Sequence, residues 1–412
     1  MDLQWWGRPG PRPMPDRGPR NPAPVSANGR LYVQGFRVLF GIDSYNGTIL
    51  WSQQIPRMRR ANMPRDCSNM AASDEYLYMA IDSKCFAMEG ETGARAIQFS
   101  LPPSISEREY DWGYVAVTGD QLIGSGVRKG SHYLGDDGEW YQGFDDSHIS
   151  RLTSDYLFSS NRHSRDLNWV YRKGGVLINS TITIAEGVVY FIESRNPATQ
   201  LQPFGRMFKE VNQDQYLVAL DLDSGRKLWE KPYDFSRCQY MVYLQYSDET
   251  LLVVGSDKKH VFHAYAFVAK NGEEIWTTDN KAVKTHHTSQ LEHPVLIGDR
   301  VYVNLNIYDL KTGDRLSEKP MKDYHGCGIK SASSATIFFR QEYHSMWNLE
   351  SGEVQEWHGI RSGCWLSMIP SGGLLLAPET SAGCSCTHAI QTSIAYRPRE
   401  LSLIKPGPVI IP

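Results

Sequence analysis

Histidine and cysteine are the side chains here best suited to chemistry, and they gather in short polar stretches. HHTSQLEH covers residues 286–293, HGCG residues 325–328, RSGCW residues 361–365 and SAGCSC residues 381–386. Imidazole nitrogen and thiolate sulfur together make a donor set suited to zinc or copper. His287, His293, His325 and Cys327 are the candidate ligands, and a transition metal is the cofactor they would hold. No HExxH or CxxC spacing is present, so loop capping by these histidines stands beside ligation as a reading. The seven cysteines also admit disulfides. Cys67 with Cys85 would flank one strand, and Cys364 with Cys384 or Cys386 another. A bridge near the end of the chain would stiffen the fold where its termini meet.

Three further groups invite ligand binding. Arg65, Asp66 and Asn69 lie in NMPRDCSN, and Asn179 and Thr181 lie in NSTIT. Glu193 and Arg195 sit two apart in FIESR. An arginine fork suits a carboxylate or other anion, whether a ligand's or a neighbour's. Trp112, Trp140, Tyr141 and Trp365 fall outside the repeat described next and are candidate stacking platforms.

The elements that must position these residues follow from an internal repeat. GIDSYNGTILW (41–51), AMEGETGARAI (87–97), ALDLDSGRKLW (219–229), IYDLKTGDRLS (307–317) and MWNLESGEVQEW (346–357) share a polar turn ending in glycine. VAKNGEEIW (268–276) is a sixth copy. Glycine there permits positive φ. Tryptophan often ends the strand that follows: Trp51, Trp229, Trp276 and Trp357, with Trp169 in a degenerate copy. Upstream lie eight short apolar strands, starting near Arg30, Glu75, Gln121, Val188, Leu251, Arg300, Thr336 and Gly373. Their spacing is that of four-stranded propeller blades, with insertions near residues 128–154 and 196–215. The expectation is an all-β, single-domain, eight-bladed β-propeller spanning residues 1–412. Residues 1–29 hold a closing strand and a proline-rich entry, and residues 397–412 form a tail. The last copy lacks its outer strand, and Leu3-Gln4-Trp5-Trp6 supplies it, which removes a free sheet edge.

In such an architecture the links between blades meet at one face. That brings Arg65, Asp66, Cys67, Asn69, Asn179, Thr181, His286, His287, His293, His325, Cys327, Cys364 and Trp365 around one axis. Formal net charge is −3 without a basic cluster, which argues against nucleic acid as a partner. No apolar run reaches membrane-span length. The polar, proline-rich start lacks a secretory h-region. The chain is therefore expected in the cytoplasm as it stands, or outside the cell as part of a longer precursor.

The strand–turn–(D/N)xxxG–xxxW pattern resembles the PQQ-like repeats of quinoprotein alcohol dehydrogenases and of the outer-membrane assembly lipoprotein with the same fold. WGRPGPRP (6–13), NMPRDCSN (62–69), NSTIT (179–183), FIESR (191–195), HGCG, GIRSGCW (359–365) and SAGCSC resemble a group of such propellers in planctomycete-type bacteria. That resemblance implies a monomeric propeller, or one part of a longer exported chain. The dehydrogenases hold their quinone against adjacent cysteines, and this chain has none, only Cys384-Ser385-Cys386. PQQ is accordingly not the expected cofactor. Two functions stand open. One is a binding or scaffold module for a protein, glycan or small molecule on the central face. The other is a metal- or quinone-dependent oxidoreductase, or a polysaccharide lyase, using the same site.

Overall fold

The structure is a computed structural model that describes residues 1–7, 23–35, 37–58, 69–131, 150–259, 261–281, 292–304, 306–316, 329–341, 343–361, 368–378 and 390–399. Within them the chain is β-strand and turn, with three short 3-10 turns at Asn179–Thr181, Pro197–Thr199 and Glu210–Asn212. Successive antiparallel sheets follow one another along the chain, most of four strands, one of three and one of seven. A short parallel pair, Ile360–Arg361 with Ile390–Gln391, stands apart.

Each sheet repeats one plan. In the first, Val25–Ala27, Arg30–Gln34, Val38–Asp43 and Ile49–Gln54 pair in that order. The eight apolar strands foreseen in the sequence are the second strands of their sheets, not the innermost. The strand ahead of each is short in most sheets, as in Val25–Ala27, Thr183–Ala185 and Ile369–Ser371, and long in Tyr110–Thr118 and Met241–Ser247. The second strands read apolar throughout because both their faces meet a neighbouring sheet, as in Thr250–Ser256, where every residue is buried.

Apolar cores lie between consecutive sheets. Ile192 and Leu217 of one sheet share a cluster with Val242, Val253 and Phe267 of the next. Tyr302 and Ile307 meet Ile337, Phe339 and Trp347 in the same way. The N-terminal strand Asp2–Trp6 pairs antiparallel with Ile394–Arg397 and completes the last sheet. Trp5, Leu376 and Ala395 of that sheet pack against Leu31, Val33 and Ile42 of the first. Ser371 Oγ donates to Ser26 Oγ at 3.1 Å across the same boundary.

The glycine turns explain the tryptophans. Each docked indole lies flat against the turn of the next sheet and donates its N–H to a carbonyl there. Trp5 bonds Ser44 O at 2.7 Å, Trp51 bonds Gly90 O at 2.9 Å and Trp169 bonds Leu222 O at 2.8 Å. Trp229 bonds Ala269 O at 3.1 Å and Trp276 bonds Leu310 O at 2.9 Å. The turn glycines Gly47, Gly93, Gly225, Gly272 and Gly313 all have positive φ. A Cβ on Gly225 would stand 2.6 Å from the Trp169 ring, and one on Gly313 2.5 Å from Trp276. Glycine is therefore required twice over, by φ and by contact.

Two details depart from the sequence reading. Trp169 docks as fully as the others, although its own turn carries Arg165 at φ 70° instead of glycine. The sheet before that turn has Ile97 in the tryptophan position, opposite Ala87, so no indole demands a bare backbone. Trp357 sits five residues after Gly352 rather than four. Its strand pair carries no bulge, so Gln355 takes the docking position opposite Met346 and Trp357 lies two residues further on, opposite His344, where it stacks on Tyr396 of the next sheet at 4.7 Å.

Candidate functional site

The innermost strands enclose a cavity of about 760 Å³, within the range of small-molecule sites. Its wall draws on Tyr110–Thr118, Thr183–Ala185, Met241–Ser247, Val295–Ile297 and Ser331–Ala332, each from a different sheet. Tyr114, Thr118, Thr183, Gln245, Tyr246, His293 and Ser331 supply its polar side chains, and Ile184 and Leu296 are among its apolar ones.

Short side chains stitch the wall from one innermost strand to the next. Thr183 Oγ1 donates to Leu244 O at 2.6 Å, and Gln245 Nε2 donates to Pro294 O at 3.1 Å. Ser331 Oγ donates to Met368 O. An innermost strand has one unpaired backbone edge, and these bonds satisfy its carbonyls.

His293 is the one sequence-predicted metal candidate among the described residues, and the structure places it on this wall. Its Nδ1 lies 2.8 Å from Pro294 O and 3.2 Å from Gln245 Nε2, and the shorter contact, to an oxygen that can only accept, assigns the proton to Nδ1. Nε2 is left with its lone pair and makes no hydrogen bond among the described residues. The ring packs at 4.2 Å from Tyr243. Burial lowers its pKa below the usual histidine value, partly opposed by the Pro294 carbonyl. His286, His287, His325 and Cys327 lie outside the described residues. No group of three His, Cys, Asp or Glu side chains poised for a metal occurs among the described residues.

Behind the wall, Lys330 and Glu292 form an ion pair with side chains 1% and 0% exposed. Lys330 Nζ also donates to Asn304 O at 2.7 Å, and Asn304 Nδ2 to Glu292 Oε2 at 3.3 Å. Desolvation pulls the ammonium pKa below its ordinary value. The pair is internally neutral, and Lys330 is the one formally charged residue among those lining the cavity.

Four other sequence candidates make their contacts within the protein. Asn179 and Thr181 sit in a 3-10 turn beside the wall. Ser154 Oγ donates to Asn179 Oδ1 at 2.7 Å, and Thr181 Oγ1 accepts from Ile192 N at 2.9 Å. Glu193 is buried, with Arg195 on one oxygen and Tyr171 Oη at 2.9 Å on the other. Arg195 reaches Glu230 at 2.6 Å and lies 3.8 Å from the Tyr216 ring centroid. Its hydrogen bond holds the Glu230 carboxyl down at about 2. This arginine fork is occupied within the protein.

Asn69 approaches Met79 Sδ at 3.6 Å, while Arg65, Asp66 and Cys67 lie outside the described residues. Trp112, expected as a stacking platform, is a core residue. It is 5% exposed, edge-on to Phe158 at 4.9 Å, and bonded to Tyr114 O. Cys85, expected in a disulfide, is a free thiol buried in the core, its pKa raised by desolvation. Its strand partners, Ala80 and Phe99, flank it inside the sheet. Cys364, Cys384, Cys386, Trp365, Trp140 and Tyr141 fall outside the described residues.

Several structural polar residues gave no sequence signal. Arg151 is fully buried and bonds Asn212 Oδ1 at 2.8 Å and Gln239 O at 2.6 Å. Arg128 holds Asp155 at 3.0 Å and the carbonyls of Thr199 and Gln202 at 2.9 and 2.6 Å. Together they strap the insertion after Asn196 to the sheets. Their partners are backbone carbonyls and loop amides, which no spacing rule reveals.

Residues 205–382 match the family model described as outer membrane protein assembly factor BamB. Comparison with curated proteins finds no match. Among solved structures, the chain is similar to a quinohemoprotein alcohol dehydrogenase from Pseudomonas putida HK5. Identity is 10% and TM-score 0.58, covering 96% of this chain and 76% of that one. It is also similar to a quinohemoprotein alcohol dehydrogenase from Comamonas testosteroni. There identity is 12% and TM-score 0.54, covering 98% and 78%. A europium-containing methanol dehydrogenase matches at 10% identity and TM-score 0.53, covering 91% and 82%. At these identities the likeness is one of fold. No helix among the described residues is long and apolar enough to cross a membrane.

Proposed function

We propose, from the premise that this chain is a PQQ-like repeat propeller, that it is an eight-bladed ring whose central channel binds a ligand. The ring is supported by the N-terminal strand in the last sheet and by the core between that sheet and the first. The binding reading is carried by one observation, the 760 Å³ cavity walled by innermost strands of different sheets. Rigid strands fix its shape and short hydroxyl and amide side chains line it, as suits recognition.

The described wall does not fit the quinone of the dehydrogenases. That cofactor carries several carboxylates, and Lys330, the charged residue here, is consumed by Glu292. No adjacent cysteines exist to lie against its ring system. No step through a quinone is derived.

One observation favours a second reading, a metal-dependent enzyme. His293 presents an unprotonated Nε2 to the channel, as a metal ligand must. His287, His325 and Cys327 would complete its site. Elemental analysis of protein purified without chelator separates the two. About one transition metal per chain, lost in His293→Ala, supports the enzyme reading.

The binding reading is tested by saturation-transfer NMR with a small-molecule fragment library on wild type and Ala332→Trp. Ala332 lines the cavity, and the indole would fill it. Fragments that bind wild type and are lost in a folded Ala332→Trp support the channel. The absence of binders, or binders unaffected by the plug, would overturn it.

A further inference from the structure

We infer that the channel takes an uncharged, hydroxyl-rich ligand, a short oligosaccharide, and that His293 Nε2 accepts a hydrogen bond from one of its hydroxyls. This rests on the channel-binding reading above and specifies its ligand.

Three features of the wall lead there. The first is charge. Among the described residues the lining holds one ionic group, Lys330, and its ammonium is buried against Glu292 behind the surface. An anion entering the channel would lose hydration without meeting an unpaired cation, and a cation would meet no free carboxylate. Either loss is costly. A neutral ligand avoids it.

The second is the unspent hydrogen-bonding capacity. Thr183 and Ser331 already donate to Leu244 O and Met368 O. His293 does not spend its Nε2, because Pro294 O fixes the proton on Nδ1. Gln245 Oε1 is buried without a partner, and Thr118 and Tyr246 add hydroxyls to the same wall. The wall thus offers an obligate acceptor at His293 and hydroxyls that donate or accept. A ligand must bring donors to match His293, and hydroxyl groups do so without adding charge.

The third is the apolar part of the wall. Ile184 and Leu296, half-buried, line the same cavity beside the polar groups, while the Leu244 side chain is spent in the core between sheets. Sugar rings have the same division, hydroxyls at the rim and C–H faces above and below. A purely polar ion would leave these aliphatic surfaces wet, and a hydrocarbon would strand the His293 lone pair.

The test uses the full chain and calorimetric titration with maltotriose, cellotriose and triacetylchitotriose. Trigalacturonate and pyrroloquinoline quinone serve as anionic comparators. The expected result is saturable binding of at least one neutral trisaccharide, tenfold or more tighter than either anion. His293→Ala should weaken it at least tenfold, and His293→Gln, which keeps an acceptor, should restore part of it. Thermal melting confirms that both variants fold. Tighter binding of an anion, or sugar binding unchanged in His293→Ala, overturns the inference while leaving a channel site intact. Fragment binders blocked by Ala332→Trp, with none of these sugars bound, also overturn the ligand class alone. A stoichiometric metal held by His293 overturns it too, because Nε2 would then be spent. No fragment and no sugar bound would sink both this inference and the reading beneath it.

Discussion

Replacing Gly225 and Gly352 by alanine separates the two demands made on the turn glycines. Both residues have positive φ, 65° and 72°. An alanine held there costs roughly 1–2 kcal/mol of backbone strain at either site. The surroundings differ. Nothing lies within 4 Å of a Cβ on Gly352, whereas one on Gly225 meets the Trp169 ring at 2.6 Å. Alanine at 225 must push the indole off the turn. Overpacking of that kind costs about 1–3 kcal/mol, and losing the Trp169–Leu222 hydrogen bond costs about 1 more. Gly225→Ala should therefore be less stable than Gly352→Ala by about 2–4 kcal/mol. Equilibrium urea unfolding reads this directly. In a Trp169→Ala background the excess should vanish, because no ring remains to displace. Equal losses at the two glycines, or an excess that survives removal of Trp169, would refute docking as the reason for the conserved plan of turn and indole.

Deleting residues 1–6 should destabilise the protein and promote association, since it bares the edge of Ile394–Arg397 and removes Trp5 from the boundary core; an equally stable, monodisperse truncation in light scattering would count against this. His344 is fully buried beside Tyr396 Oη at 3.0 Å, and desolvation brings its pKa down to about 3. The unfolded chain takes up a proton near pH 6.5 that the native state refuses, so this contribution to stability is whole above that pH and declines as pH falls toward 3. By pH 5 the loss is about 2 kcal/mol, and His344→Gln should flatten the slope between pH 7 and 5; parallel slopes for the two proteins would exclude His344 as its source. Arg151→Met should leave Asn212 Oδ1 and Gln239 O short of a buried donor, costing about 3 kcal/mol and exposing residues 197–214 to limited proteolysis. A digestion pattern identical to wild type would show that Arg151 is not what holds that segment.

The sequence by itself determined the repeat. A polar turn ending in glycine, often followed four residues later by tryptophan, is local chemistry, legible because backbone conformation at the turn and the indole's reach both act over a few residues. It led to Gly47, Gly93, Gly225, Gly272 and Gly313, and to Trp5 as the outer strand supplied by the other end of the chain. It also singled out His293, which lines the cavity. Tertiary structure decided what those local signals leave open. Register decided that Trp169 docks while Trp357, two residues beyond the docking position and opposite His344, stacks on Tyr396. Packing between sheets put Trp112 and Cys85 in the core, because a side chain outside the repeat pattern is as free to fill space as to meet a ligand. Long-range pairing spent Arg195 on Glu193 and Glu230, which sequence spacing alone could not distinguish from an open anion site. The cavity itself has no sequence signature. Its innermost strands are two to nine residues of mixed polarity, half wetted on one edge, so neither hydrophobic periodicity nor turn chemistry marks them. Their shared wall exists only because strands from different sheets come together around one cavity.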